Sequence, residues 1–166
     1  MEYWDIYDKN RNKTGKIIKR GERMLDGEYH LIVHIWIKNS NNEFLIQQRS
    51  EKVKNPLVWS TTGGSAVSGE DSFTAALREV KEELGIDLSD KKGYLFDMDI
   101  YEEDNQKYIS DTYLYFIDID INDLKLQKEE VKQAKFEKMS VIKQMMANGE
   151  FFIYEYLDKL EKAKLE

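Results

Sequence analysis

No cysteine occurs among the 166 residues. Disulfides, thiolate metal sites and cysteine nucleophiles are therefore all excluded. Proline is nearly absent: Pro56 stands alone, and no Pro/Gly/Ser-rich stretch marks a linker. Long apolar runs are missing too. The longest, Leu31 to Ile37, contains His34 and falls far short of the ~20 residues that cross a bilayer. The N-terminus lacks the charged-then-apolar pattern of a signal peptide, so a cytoplasmic protein is expected. A basic excess is also absent: 25 Lys and Arg face 32 Asp and Glu, a net charge of −7. That balance argues against nucleic-acid and anionic-membrane partners, both of which want a basic face. It leaves room for an anionic small molecule, because metal ions can reverse the local field.

The length matches one domain of ~150 residues with a modest extension. Such a chain buries roughly 70% of its unfolded surface without disulfides or metal, and 41% apolar residues put it among folded domains rather than disordered ones. The expected organisation is a single domain over 1–166. It has an N-terminal β-hairpin extension at 1–29, a core at 30–150 and a C-terminal helix at 151–166. Trp4–Tyr7 and Lys16–Lys19 read as the hairpin strands. Leu31, Val33, Ile35 and Ile37 alternate with His30, Ile32, His34 and Trp36, a period-two strand. Asn39–Asn42 is a turn, and Phe44–Arg49 the partner strand. Ser72–Leu84 reads as a helix with Phe73, Leu77, Val80 and Leu84 on one stripe and Gly85 as its C-cap. Strands follow at Tyr94–Tyr101 and Tyr108–Ile119, separated by a charged loop over Glu102–Lys107. Ala134–Met139 is a further strand, and Ser140–Asn148 and Tyr154–Lys164 are helices. Hairpins with a few helices imply a mixed sheet covered by helices.

The chemistry concentrates between Gly63 and Ile86. On a wheel of 100° per residue with Phe73 at zero, Glu79, Glu82 and Glu83 lie at about 240°, 180° and 280°. Three carboxylates thus share a face beside the apolar stripe, where they repel one another unless cations sit among them. Hard oxygen ligands on a rigid element suit Mg²⁺ or Mn²⁺. Gly63-Gly64 lets the backbone approach a ligand closely. Arg78, four residues before Glu82, can orient a carboxylate or meet a phosphate with two N–H groups. The other reading of this run is a solvated helix face.

The spacing Gly64, Glu70, Arg78-Glu79-Val80, Glu82-Glu83, Gly85-Ile86 resembles the signature of the Nudix hydrolase family at every fixed position. The resemblance implies an α/β/α sandwich with a mixed sheet and a loop-helix-loop catalytic segment. It also implies metal-dependent cleavage of the phosphoanhydride in a nucleoside diphosphate linked to another group, by water attack on phosphorus. By the same resemblance, Glu79, Glu82, Glu83 and the Gly64 carbonyl are ligands of Mg²⁺ or Mn²⁺. Glu79 or Glu82 acts in catalysis with Arg78 as orienter, and Glu70 braces the loop. The partner is a small nucleotide or diphosphate, and the chain acts as a monomer or homodimer.

The flanks, Trp4-Asp5-Ile6-Tyr7-Asp8, Tyr29–Ile37, Gln47-Gln48-Arg49 and Trp59-Ser60-Thr61, resemble the branch of isopentenyl-diphosphate isomerase. The isomerase cysteine is lacking, and Thr61–Ser65 holds no histidine, so isomerase chemistry is disfavoured. A nucleotide sensor without turnover is the remaining alternative. Arg49 and Lys54, with Lys52, are candidates to clamp a phosphate, Trp59 to stack on a base, and Glu130 to supply an extra carboxylate. His30 and His34, four apart on a strand, sit ~13 Å from one another and do not chelate one ion as a pair. A hydrogen-bonded structural role is expected for each.

Overall fold

The computed structural model describes residues 1–103 and 105–165. In chain order the elements are β1 (Tyr3–Tyr7), β2 (Lys13–Lys19), β3 (His30–Lys38), β4 (Glu43–Arg49), β5 (Trp59–Ser60), β6 (Thr62–Ser65), α1 (Ser72–Leu84), β7 (Gly93–Glu103), β8 (Gln106–Phe116), β9 (Val131–Lys138), α2 (Met139–Ala147) and α3 (Leu157–Lys162). β1 and β2 form a separate antiparallel hairpin.

Both faces of β3 are buried, with Val33, Ile35 and Ile37 on one side and Trp36 on the other. A strand apolar on both faces belongs in the middle of a covered sheet. Among the described residues β3 sits inside a seven-stranded sheet. It runs parallel to β8, which pairs antiparallel with β7. On its other side β3 meets β4 only where Lys38 faces Phe44, and from Ile35 back to Ile32 its partner is β6. β4 in turn carries β9 and β5. The change of partner along β3 brings Gly63 and Gly64 against the middle of the sheet.

Each sheet face has its own core. Leu31, Val33, Ile35, Ile37 and Leu45 pack against Ala75, Ala76, Val80 and Leu84 of α1. Trp36, Phe44, Ile46 and Leu114 pack against Ile142 and Met145 of α2 and Leu157 and Leu160 of α3. The result is the α/β/α sandwich with a mixed sheet. Asp71 caps α1 by accepting the Thr74 N–H at 2.7 Å. Gly85 closes it at φ 73°, with its N–H on the Lys81 carbonyl.

Several expectations are corrected. The C-terminal helix expected at 151–166, and more narrowly over Tyr154–Lys164, is shorter and covers Leu157–Lys162. The preceding backbone instead pairs with β5: the Phe152 N–H donates to the Trp59 carbonyl and the Trp59 N–H to the Glu150 carbonyl, both at 2.9 Å. The run Tyr108–Ile119 stops as a strand at Phe116. The charged loop Glu102–Lys107 is mostly strand, since Glu102 faces Lys107 and Glu103 faces Gln106 in the β7–β8 ladder. Phe73, placed on the apolar stripe of α1, is 48% exposed.

Candidate active site

The buried arc of α1 holds Ala75, Ala76, Glu79, Val80, Glu83 and Leu84. It is turned away from Phe73 towards the carboxylates, so two of the three glutamates pack against the sheet. Glu79 is 9% exposed and Glu83 7%. Glu82, on the outer flank, keeps half of its side chain in solvent.

Arg78 organises this face. Its Nε donates to Glu70 Oε1 at 2.6 Å and its Nη2 to Glu70 Oε2 at 3.0 Å, a two-point clasp. Nη2 also reaches the Ser65 carbonyl at 3.0 Å, tying the end of β6 to the helix. Nη1 donates to Glu79 at 3.0 Å and to Glu82 at 3.2 Å. Glu70 accepts the Val67 N–H at 3.0 Å, so the loop between β6 and α1 is closed by the same carboxylate. Hydrogen bonds and charge from these carboxylates hold Arg78 above its ordinary pKa.

Burial pushes Glu79 up to about 7, although the Arg78 charge and hydrogen bond oppose it and Glu82 adds to it. Burial likewise pushes Glu83 up to about 8, opposed by the Gln47 hydrogen bond and reinforced by the charges of Glu79 and Glu130. Burial thus favours the neutral form of both groups, and a neighbouring cation would favour the charged form. Gly64 lies directly under Glu79: any Cβ there would overlap the carboxylate. The glycine therefore makes a cradle that brings backbone and carboxylate together.

Among the described residues, no three acidic or imidazole side chains converge as a ready-made metal cluster. Glu79 and Glu82 turn to Arg78, and Glu83 turns to Gln47. The donor chemistry nonetheless fits a hard divalent ion: several carboxylates share one guanidinium, two are buried, and a glycine backbone abuts one of them.

The remaining candidates are spread out. Arg49 points its Nε and Nη2 at the Lys54 carbonyl, at 2.9 and 2.7 Å, and lies over the Phe152 ring. It thereby closes the loop in which Lys54 stands exposed. Glu130 is exposed just before β9 and close enough to Glu83 to repel it. Trp59 is not brought to the carboxylates. It faces Gln48 across β4–β5 and shares a surface hollow of about 480 Å³ with Lys135, Val141 and Met145. By strand alternation this is the sheet face opposite Gln47 and α1. His30 makes the expected hydrogen bond, to the Lys107 carbonyl at 3.1 Å, and stacks on Trp4. His34 does not: its buried Nδ1 has no partner among the described residues.

Sequence reasoning missed two contributors. Gln47 donates to Glu83 from β4, a placement that alternation with Leu45 on the α1 side would have suggested. Asp5, on the hairpin, accepts from Ser68 Oγ at 2.7 Å and Gly69 N–H at 2.9 Å. No local spacing signals that contact.

A NUDIX domain matches residues 28–160, which leaves the β1–β2 hairpin outside. An uncharacterised Nudix hydrolase of Listeria monocytogenes is 38% identical over 166 residues, 99% of this chain and 96% of that protein. An isopentenyl-diphosphate Δ-isomerase of Pectobacterium atrosepticum is 35% identical over 83 residues, 49% of this chain and 46% of that enzyme. In the fold, a crystal structure of a Deinococcus radiodurans protein matches with a TM-score of 0.76 at 19% identity, covering 97% of this chain and 98% of that one.

Proposed function

The chain belongs to the Nudix family and is a Nudix hydrolase, and from that premise we propose that it cleaves the phosphoanhydride of a nucleoside diphosphate linked to a further group, by attack of water on phosphorus. The observation that carries this reading is the gathering of Glu70, Glu79 and Glu82 on the single guanidinium of Arg78, with Glu83 buried alongside and Gly64 pressed against Glu79. The negative charge exceeds what Arg78 balances, and a divalent cation is its natural complement.

Glu79, Glu82, Glu83 and the Gly64 carbonyl would hold the ion, with Mg²⁺ first and Mn²⁺ as a substitute. When bound, it neutralises the diphosphate oxygens and makes a bound water more acidic. This chain's own groups do the rest. Burial raises Glu79 above the ordinary carboxylate range in the ion-free chain, and a more basic carboxylate is a better proton acceptor. Arg78 fixes the direction of Glu79 and, through Glu70, the loop that ends at the helix. The isomerase-like flanks accompany a chain without cysteine, so the thiol chemistry of that branch has no counterpart here. The action is on a small molecule, and among the described residues no helix is long and apolar enough to cross a membrane.

A panel of nucleoside diphosphates and their derivatives, incubated with Mg²⁺, tests the reading through release of nucleoside monophosphate or phosphate. Release is expected for at least one compound, with Glu83→Gln slower by roughly tenfold or more. Binding without release across the panel would favour a sensor and overturn it.

A further inference from the structure

A buried line of hydrogen bonds runs from the sheet to the helix through Thr62, Gln47 and Glu83. The Thr62 hydroxyl donates to Gln47 Oε1 at 2.8 Å, and Gln47 Nε2 donates to Glu83 Oε2 at 2.7 Å. The three residues are 3%, 4% and 7% exposed. Chemistry fixes the order of donors. Once Glu83 is ionised, as a ligand of a cation must be, its carboxylate only accepts, so the amide turns its NH₂ towards Glu83 and its carbonyl towards Thr62, where a hydroxyl proton meets it. Reversing the amide would set its oxygen against the carboxylate in a place closed to water, leaving buried polar groups unpaired.

Glu83 depends on this line more than its neighbours do. Glu79 and Glu82 are steered by Arg78, whereas the Glu83 side chain takes its hydrogen bond, among the described residues, from Gln47 alone. Glu79 and Glu130 both repel it. Without an anchor on β4, the carboxylate would be free to swing away from Glu79 and the Gly64 backbone.

We propose that Gln47 and Thr62 are positioning residues, which hold the Glu83 carboxylate in one orientation and thereby set how tightly the site binds a divalent ion. The inference rests on Glu83 being a metal ligand, as in the function proposed above. Gln47 lies outside the Gly64–Ile86 signature, on a strand that pairs with β9 and β5. Partners of this kind, one step removed from the ion, typically change metal affinity 10- to 100-fold when lost.

The test is Mn²⁺ titration of the full-length chain, followed by the electron paramagnetic resonance of free Mn²⁺, below the unfolding range of each variant. Gln47→Met is expected to weaken binding roughly 10- to 100-fold. Thr62→Val should weaken it by a smaller factor, and Thr62→Ser, which keeps the hydroxyl, should restore it. Should Gln47→Met fail to fold, the Val and Ser pair at Thr62 decides. Wild-type affinity in Gln47→Met, or no difference between the Val and Ser variants, overturns the positioning role while Glu83→Gln still weakens binding. Wild-type Mn²⁺ affinity in Glu83→Gln overturns the metal reading itself, and the positioning role with it.

Discussion

Arg78 grips Glu70 with two roughly parallel hydrogen bonds, Nε to Oε1 at 2.6 Å and Nη2 to Oε2 at 3.0 Å. The clasp spans the loop that joins β6 to α1, and the same guanidinium holds Glu79 and the Ser65 carbonyl. One side chain therefore links the loop, the strand end and α1. Lysine keeps the charge but lacks the planar fork. Arg78→Lys is expected to slow turnover by roughly tenfold or more, at the low end for loss of an orienting partner. A double-mutant cycle with Glu70→Gln should give a coupling of about 0.5–3 kcal/mol in urea unfolding, the range for residues in one network. Additive effects of the two substitutions would show that the clasp does not act as a unit.

The N-terminal hairpin reaches the same loop from outside. Asp5 accepts from Ser68 Oγ and Gly69 N–H, and the Ser68 N–H donates to the Tyr3 carbonyl at 2.8 Å. Asp5→Ala strips two loop donors, and Lys13 as a third, of their acceptor and is expected to cost about 1–3 kcal/mol of stability. Turnover should fall as well, because Glu70 follows Gly69 directly. Lys13, which pairs with Asp5 at 2.9 Å from a half-exposed position, supplies the control. Lys13→Ala should cost under about 1 kcal/mol, as for other surface pairs. Equal losses in the two variants would assign the effect to the ion pair and not to the loop.

The buried titratable groups give stability a definite dependence on pH. Glu79 and Glu83 rise from 4.5 to about 7 and about 8. Between the ordinary and raised values the folded chain binds protons that the unfolded chain has released, so stability falls as pH rises. His30 and His34 run the other way. Burial lowers both from 6.5 to about 4, so the unfolded chain binds the extra protons, and stability rises with pH over that window. The two trends oppose each other up to 6.5, above which the glutamates act alone. In chelator, the urea midpoint is expected to fall from pH 6.5 to 8, and the fall should vanish in the Glu79→Gln, Glu83→Gln double variant. A midpoint that holds steady over that range in the unmodified chain would contradict the burial of these carboxylates.

The sequence made the chemistry legible through spacing. Gly64, Glu70, Arg78, Glu79, Glu82 and Glu83 stand at the intervals of the family signature, and local rules placed α1 from Ser72 to its Gly85 cap. The orientation of α1 was less legible. Phe73 is the most apolar residue of its turn, so a hydrophobic stripe drawn through it looked natural. The helix instead buries small Ala75 and Ala76 close against the sheet and carries Glu79 and Glu83 inward. Periodicity counts hydrophobicity and cannot foresee that carboxylates will be buried where a site needs them. The long-range partners were silent for another reason. Gln47 meets Glu83 from 36 residues away and Asp5 meets Ser68 from 63, and such contacts depend on how β4 and the hairpin are laid in space. At the C-terminus, the amphipathic spacing of Tyr154–Lys164 hid the pairing of Phe152 with Trp59, which takes the backbone that a longer helix would use.

The account stands on water attacking phosphorus at a carboxylate site that requires a divalent ion. The most direct measurement is hydrolysis of a cleaved phosphoanhydride in ¹⁸O-labelled water, followed by ³¹P nuclear magnetic resonance, with Mg²⁺ and with excess EDTA. The expected result is label in a phosphate product when Mg²⁺ is present and no turnover in EDTA. Turnover at an undiminished rate in EDTA, or product phosphates free of label, would contradict it.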